Sequence, residues 1–558
     1  MNLQYHTNHF SAFFKITGLI AFLLIMSVCS FAQVDTTKPQ SVTIVSAYKP
    51  VVKSVAKINL SATNLPIDTT KNLSPYLVPV QNLFYAYQPI NLKPLALQHD
   101  TLMELGNRYF AKLGFGNYST PYAYAAANFG DGSTYLANAY GSYISSKGKI
   151  KNQDYSLLNL KATGSYFTPK NEAYAAITAS RSQYYLYGYP HDSLDFNKSD
   201  ISQQFVAFGM QLGFKNTAVN DFQINYNPTI GIHRLSLANA LNETSFALQL
   251  PAEKKINDLF SVKLDGLLNL TRYATKNIIP NDTAYNNNIF SVTPSVLYHD
   301  KQLKLNAGIT YLGNNGKTSF MPNIEAEVAL SNKRFIFQGG WIGKINKNTF
   351  ANLSNINPYL IALDSQKNTL ETEAYFGIKS SVTKHLLFSA KAALIVYKDY
   401  QLFLNDTAGA NKENRFVTSN ENKLNNFRLH GDLSYIIRDK FNFNGGVTIN
   451  AYTGLNQNAH AWHLLPMELN ASLSWKPLTK LTVKSDFYLF AGGKYLTKSN
   501  ISNRMSGGAD WSVGAEYKFT KHIGAFINLN NIFGKNYERW HNYPVYGFNI
   551  LGGVSIRF

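Results

Sequence analysis

The stretch Leu481-Thr482-Val483-Lys484-Ser485-Asp486-Phe487-Tyr488-Leu489 decides how the chain is to be read. Its odd positions are mostly apolar and its even positions carry a cation, an acid and hydroxyls. Successive side chains of a strand point to opposite faces, so this strand meets two different solvents. The split recurs where Trp511, Val513, Ala515, Tyr517 and Phe519 alternate with Ser512, Gly514, Glu516 and Lys518. It recurs again where Phe427, Leu429, Gly431, Leu433 and Tyr435 oppose Arg428, His430, Asp432 and Ser434. The last residues put Phe548, Ile550, Gly552, Val554, Ile556 and Phe558 on one face, with Asn549, Ser555 and Arg557 on the other. On this pattern Lys484 and Glu516 face the polar side and should tolerate exchange of their charges, whereas Val513 and Val554 face lipid.

Connection lengths separate a membrane barrel from a soluble sandwich. Short polar connections fall at 168–171, 216–221, 331–334, 383–385, 438–440, 477–480 and 520–522. Longer ones fall between them, around 187–200, 273–287, 344–367, 400–423, 491–506 and 533–547. Tight turns at one end and long loops at the other are what a transmembrane barrel uses, while a sandwich has water at both ends and no reason to sort its loops. The runs number about 22, an even count that returns both chain ends to the same side. The expected fold is therefore all-β, a transmembrane antiparallel barrel over residues 107–558, closed because lipid cannot satisfy an open sheet edge.

Composition agrees. Charged residues make up 15% of the 558 and aromatic ones 14%, which is charge-poor and ring-rich beside soluble proteins. One apolar stretch, Ile16 to Phe31, follows Lys15 and ends in Ser30-Phe31-Ala32, the pattern of a secretory signal cleaved before Gln33. Residues 1–32 are thus expected to be a signal peptide. They contain the only cysteine, Cys29, so no disulfide framework or cysteine nucleophile is expected in the exported chain. Residues 33–106 hold several prolines and lack glycine before Gly106, which suggests a short, loosely structured plug-like or periplasmic segment. The formal net charge is +19, with Lys and Arg scattered singly instead of gathered in a stripe. That spread suits outer-membrane lipids and lipopolysaccharide and argues against nucleic acid.

The segment Leu529-Asn530-Asn531-Ile532-Phe533-Gly534-Lys535-Asn536-Tyr537, followed by Tyr543-Pro544, Gly547-Phe548-Asn549 and the terminal Gly553-Val554-Ser555-Ile556-Arg557-Phe558, resembles the closing motif of the TonB-dependent receptors. Asn368-Thr369-Leu370-Glu371-Thr372-Glu373-Ala374-Tyr375-Phe376-Gly377-Ile378-Lys379 is similar to a mid-barrel strand of the same family. The resemblance implies a 22-stranded barrel in the outer membrane of a Gram-negative bacterium. It also implies a terminal aromatic, here Phe558, read by the barrel-insertion machinery, and energised ligand uptake. Thr43, Ile44, Val45, Ser46 and Ala47 resemble the segment that meets the TonB complex. The region before the barrel is much shorter than the family's plug, however. Ligand uptake is the leading reading, with the TonB complex or a surface lipoprotein as partner; a non-transporting scaffold or adhesion component is the alternative.

No set of residues suggests an enzyme or a bound cofactor. Glu371 and Glu373 share a strand face, but alternation puts charges on a barrel wall in any case. His460 and His463 lack a third ligand for a metal, and His430 reads as a hydrogen-bonded wall residue. The last long loop gathers Tyr537, Trp540, His541, Tyr543 and Tyr546. These flat rings could stack on a sugar or a planar ligand, or could belong to the aromatic girdle at the membrane edge.

Overall fold

The computed structural model describes residues 108–558 apart from 239, 276–283, 331–333, 363–366 and 407–413. Signal residues 1–32, Cys29 and the segment 33–106 with Thr43–Ala47 lie outside the described residues. Twenty-two antiparallel strands form one closed sheet. The first, Tyr109–Gly116, pairs on one side with Thr120–Gly130 and on the other with the last, Asn549–Arg557. Every other barrel strand pairs with its sequence neighbours, and two three-residue strands, Ile224–Tyr226 and Leu360–Ala362, attach beside them.

Closure depends on small residues where the two ends meet. Gly114 lies opposite Gly553, and a Cβ added to Gly553 would come within 2.1 Å of the Leu113 carbonyl oxygen. Only glycine permits that approach. The terminal residue extends the seam, since the Phe558 carbonyl accepts from the Tyr109 N–H at 3.0 Å and its own N–H donates back at 2.9 Å. Below the glycines, Glu516 takes Lys112 at 2.6 Å and also pairs with Arg557. The three side chains are only 11%, 15% and 12% exposed, which overturns the expectation that Glu516 tolerates charge exchange. Alternation showed that it faces inward but not that two cations converge on it.

The outward face is apolar and banded. Phe427, Leu429 and Leu433 stand out on one strand and Ile550 and Val554 on another, while inward Ser512 and Ser555 are fully buried. Exposed rings gather at both rims: Tyr109, Phe129, Tyr135, Tyr166 and Phe519 at the short-turn end, and Phe115, Tyr143, Phe320, Trp511 and Phe548 at the long-loop end. An apolar band between two aromatic belts is the surface of a barrel that sits in a bilayer.

Loop lengths follow parity less strictly than the sequence suggested. At the long-loop end the connections 117–119, 238–240 and 315–316 are tight, and at the other end 217–228 is long because it contains the short strand Ile224–Tyr226. The described residues of the expected loops 273–287 and 400–423 are mostly strand. Leu386–Asn405 and Phe416–Ile437 stay in register out to Asn405 opposite Phe416, leaving only 406–415 between them. These strands far exceed the 9 to 11 residues a bilayer needs, so they rise beyond it. Polar residues such as Gln401 and Asn420, hydrogen-bonded across the ladder at 2.9 Å, read as loop in the sequence although they belong to that extension.

Candidate functional site: a loop cap over the barrel mouth

Connections 186–201, 347–368 and 531–548 meet in one hydrophobic core over the mouth, built from Tyr187, Phe350, Tyr359, Trp540 and Tyr543, with Phe416 from a strand end, among others. Tyr359 and Tyr543 stack with ring centroids 3.5 Å apart, and Tyr187 meets Tyr543 edge-on at 4.9 Å. Trp540 packs against Phe403 and Phe416 at 5.1 and 5.5 Å. Two of the buried tyrosines also tie down loop backbone through their hydroxyls. The Tyr187 hydroxyl donates to the Pro544 carbonyl at 2.8 Å, and the Tyr543 hydroxyl donates to the Asn414 carbonyl. Asn414 in turn donates to the Leu186 carbonyl at 2.9 Å, so loops 186–201, 406–415 and 531–548 are cross-linked.

Two barrel carboxylates pin the cap from below. Glu243 accepts the N–H groups of Phe350 at 2.7 Å and Ala351 at 3.3 Å, which open the short helix Phe350–Ile356 in the connection 347–368. Its N-cap Thr349 accepts from the Asn352 N–H at 3.1 Å, so the first helical turn is satisfied on both sides. Glu421 accepts N–H groups of Asn456, Gln457 and Asn458 and orders the connection 454–466 in the same way. Neither glutamate stood out in the sequence, because each acts on a loop far from it along the chain. The aromatic run Tyr184-Tyr185-Leu186-Tyr187-Gly188-Tyr189 was the available signal that a loop has a core of its own.

The five residues expected to meet a ligand have unequal positions. Trp540 and Tyr543 are at most 1% exposed, and Tyr537 and Tyr546 are buried as well. They form the inside of the cap and are not part of the girdle. Tyr537 donates to Asp510 at 2.9 Å, and Tyr546 donates to the Gln153 carbonyl at 2.5 Å. His541 is half-buried, stacked 3.7 Å from Tyr495 and 3.6 Å from Glu538. The pair His460 and His463 diverges: His460 lies 3.3 Å from Lys494, whereas the His463 ring is buried beside Trp540. No group of three or more metal-ligating side chains occurs among the described residues.

Beneath the cap the lumen wall is cross-linked by charge. Glu373 pairs with Lys391 at 2.6 Å and Glu371 with Lys344 at 3.2 Å, each glutamate at most 3% exposed. Arg428 reaches the Tyr397 hydroxyl at 3.0 Å, and His430 lies between Thr448 and Asp432 at 2.8 Å from each. Both glutamates are thus taken up in ion pairs of the wall.

His463 makes the cap sensitive to acid. Its Nδ1–H donates to the Phe403 carbonyl at 2.9 Å, and the Arg539 guanidinium donates to the His463 carbonyl at 2.9 Å. Burial, reinforced by the nearby charges of Arg539 and His541, pushes its pKa down to about 3. The opened loop would regain an ordinary value near 6.5. Its depressed pKa means that opening takes up a proton as pH falls below about 6.5, so cap stability is full above that pH and is lost progressively down to about 3. At pH 4.5 the loss is about 2 to 3 kcal/mol. Hydrogen exchange of residues 531–548, corrected for intrinsic rates, should therefore quicken from pH 7 to 4.5 in the native protein. It should stay flat in His463→Asn; equal pH dependence in both proteins would remove His463 from the cap's energetics.

The barrel is similar to several solved transporters. It superposes on the FrpB iron transporter from Neisseria meningitidis with a TM-score of 0.64, at 10% identity over 82% of each chain. The siderophore receptor PirA from Acinetobacter baumannii gives 0.62 at 11% identity, over 81% of this chain and 80% of that one. The copper transporter OprC gives 0.60 at 12% identity, over 82% and 83%. No protein-family model matches the chain, and no curated protein matches it. At such identities the likeness is one of fold: the 22-strand barrel is shared with these iron and copper transporters and this siderophore receptor.

Proposed function

We propose that this chain is an outer-membrane receptor of the TonB-dependent-receptor type that takes up a ligand across the outer membrane, with the aromatic loop cap as its external gate. The observation that carries the reading is a hydrophobic loop core seated over the mouth of a barrel whose fold is that of iron and copper transporters. In this reading a ligand first meets the partly exposed His541 and Tyr495. Tyr537, Trp540, Tyr543 and Tyr546 become available to it when the cap opens. Thr43–Ala47 would contact the TonB complex, residues 33–106 would serve as a reduced plug, and Phe558 would be read by the insertion machinery. A surface lipoprotein remains the other external partner to look for.

The alternative of a non-transporting scaffold draws on the same cap, since a mouth closed by packed rings above an ion-paired wall also describes a rigid support. Conductance in planar bilayers separates the two. Trp540→Ala combined with Tyr543→Ala removes the centre of the cap, and a second change deletes residues 34–105. Uptake requires a continuous path once both obstacles are gone, so the combined variant should conduct strongly and either change alone only weakly. A combined variant that inserts into the bilayer yet passes no current would favour the scaffold.

A further inference from the structure

The lipid-facing side of the barrel has a hollow on four neighbouring strands. Across these strands, Thr369–Ser381, Leu386–Asn405, Phe416–Ile437 and Phe441–Thr453, two outward rows run Ile378–Ala390–Gly431–Val447 and Phe376–Ala392–Leu429–Ile449. Ala390, Ala392 and Gly431 form the floor, and the larger side chains form the walls of a groove of about 360 Å³. No protein atom crowds that floor, because a Cβ added at Gly431 would find its nearest neighbours at 3.7 and 3.8 Å. The next row toward the short-turn end is Phe388–Leu433–Gly445.

Below it, the turns of the same two hairpins carry Lys384 in one and Arg438 and Lys440 in the other. The one acid between them, Asp439, is directed to Lys476 at 4.0 Å. Among the described residues no carboxylate pairs with Lys384, Arg438 or Lys440. From Ala390 to Lys384 is six residues, about 20 Å along a strand at about 3.3 Å per residue. With a strand tilt of about 40° that is a depth of about 15 Å, half of a hydrocarbon core of about 30 Å. A head group at the turns thus places the far end of its acyl chain in the hollow.

We propose that this groove holds an acyl chain of one phospholipid, whose phosphate is bound by Lys384, Arg438 and Lys440 at the short-turn rim. The apolar walls match the chain, the cationic rim matches the phosphate, and their separation matches one leaflet. The proposal rests on the outer-membrane reading only for the leaflet it names, the periplasmic one. A barrel that fails to enter vesicles would fail that reading, whereas an inserted barrel without bound lipid would fail this one.

The test is native mass spectrometry of the delipidated full chain in mild detergent, titrated with phosphatidylglycerol and with a diacylglycerol of the same chains. The native protein should retain one phosphatidylglycerol and bind the diacylglycerol more weakly. Gly431→Leu, which fills the floor, should lose the adduct, its fold checked by heat-dependent gel mobility. The triple variant Lys384→Gln, Arg438→Gln and Lys440→Gln lies in the turns and leaves the groove intact. It should keep only the weak binding shown by the diacylglycerol, and it decides the matter if Gly431→Leu does not fold. An adduct unchanged in Gly431→Leu, equal binding of the two lipids by the native protein, or a dimer that Gly431→Leu dissolves in place of a lipid adduct would each overturn the proposal.

Discussion

Glu516→Lys should prevent the barrel from closing stably. The substitution leaves Lys112 and Arg557 without their shared carboxylate and adds a third cation at a spot where all three side chains are at most 15% exposed. Breaking a buried pair by removing one partner costs about 3 to 5 kcal/mol, and like-charge repulsion adds to it. These residues come from the first strand, the last strand and Gly508–Lys518, so the loss falls on the seam that no neighbouring hairpin reinforces. A urea titration of refolded protein in lipid vesicles should show the midpoint falling sharply. Asp265→Lys offers the contrast, since the pair Lys263–Asp265 is over a third exposed and should be worth less than about 1 kcal/mol. Lys112→Glu placed on top of Glu516→Lys restores an opposite charge and should recover part of the midpoint. Equal effects of the two lysine substitutions would mean that the seam does not depend on this triad.

The second large effect is expected on the outer face. Val554 is 46% exposed between Leu113 and Ala525 near the middle of the last strand. An arginine at the bilayer midplane of a barrel costs about 2 to 4 kcal/mol. Val219 is 81% exposed but lies in the 217–228 connection, where an arginine meets water and should change stability by less than about 0.5 kcal/mol. Exposure alone would rank Val219 as the more tolerant only by degree, whereas a membrane makes the two differ in kind. If Val554→Arg and Val219→Arg shift the same vesicle-folding titration alike, the apolar band is not a lipid surface.

The barrel was legible because its signal is local. Every strand repeats the same two-residue period, so Trp511 and Ser512, or Val554 and Ser555, disclose their faces without knowledge of any partner. The strand count followed from counting such runs. Strand length was harder to read, because the upper halves of Leu386–Asn405 and Phe416–Ile437 leave the bilayer and lose the apolar face that marks a spanning strand. The cap was illegible for the opposite reason. Tyr187, Tyr359 and Tyr543 come from three connections, and their contact follows no period that a linear reading could detect. Tyr537, Trp540, Tyr543 and Tyr546 were singled out as a cluster, but sequence offered only a ligand or the membrane edge as their neighbours. The neighbours are other loops and the strand ends beneath them. Glu516 shows the same limit inside the barrel, where facing inward was predictable and the convergence of Lys112 and Arg557 depended on closure.

Orientation of this barrel in the outer membrane is the claim on which the remaining inferences stand, and thiol labelling tests it most directly. The described residues contain no cysteine, so a single introduced thiol reports its own position. Ser499, exposed in the long connection 492–507, and Lys384, exposed in the short turn 382–385, mark the two ends. A membrane-impermeant maleimide applied to intact cells should label Ser499→Cys at once and Lys384→Cys only after the outer membrane is permeabilised. Labelling of Lys384→Cys on intact cells, with Ser499→Cys protected until permeabilisation, would contradict the account.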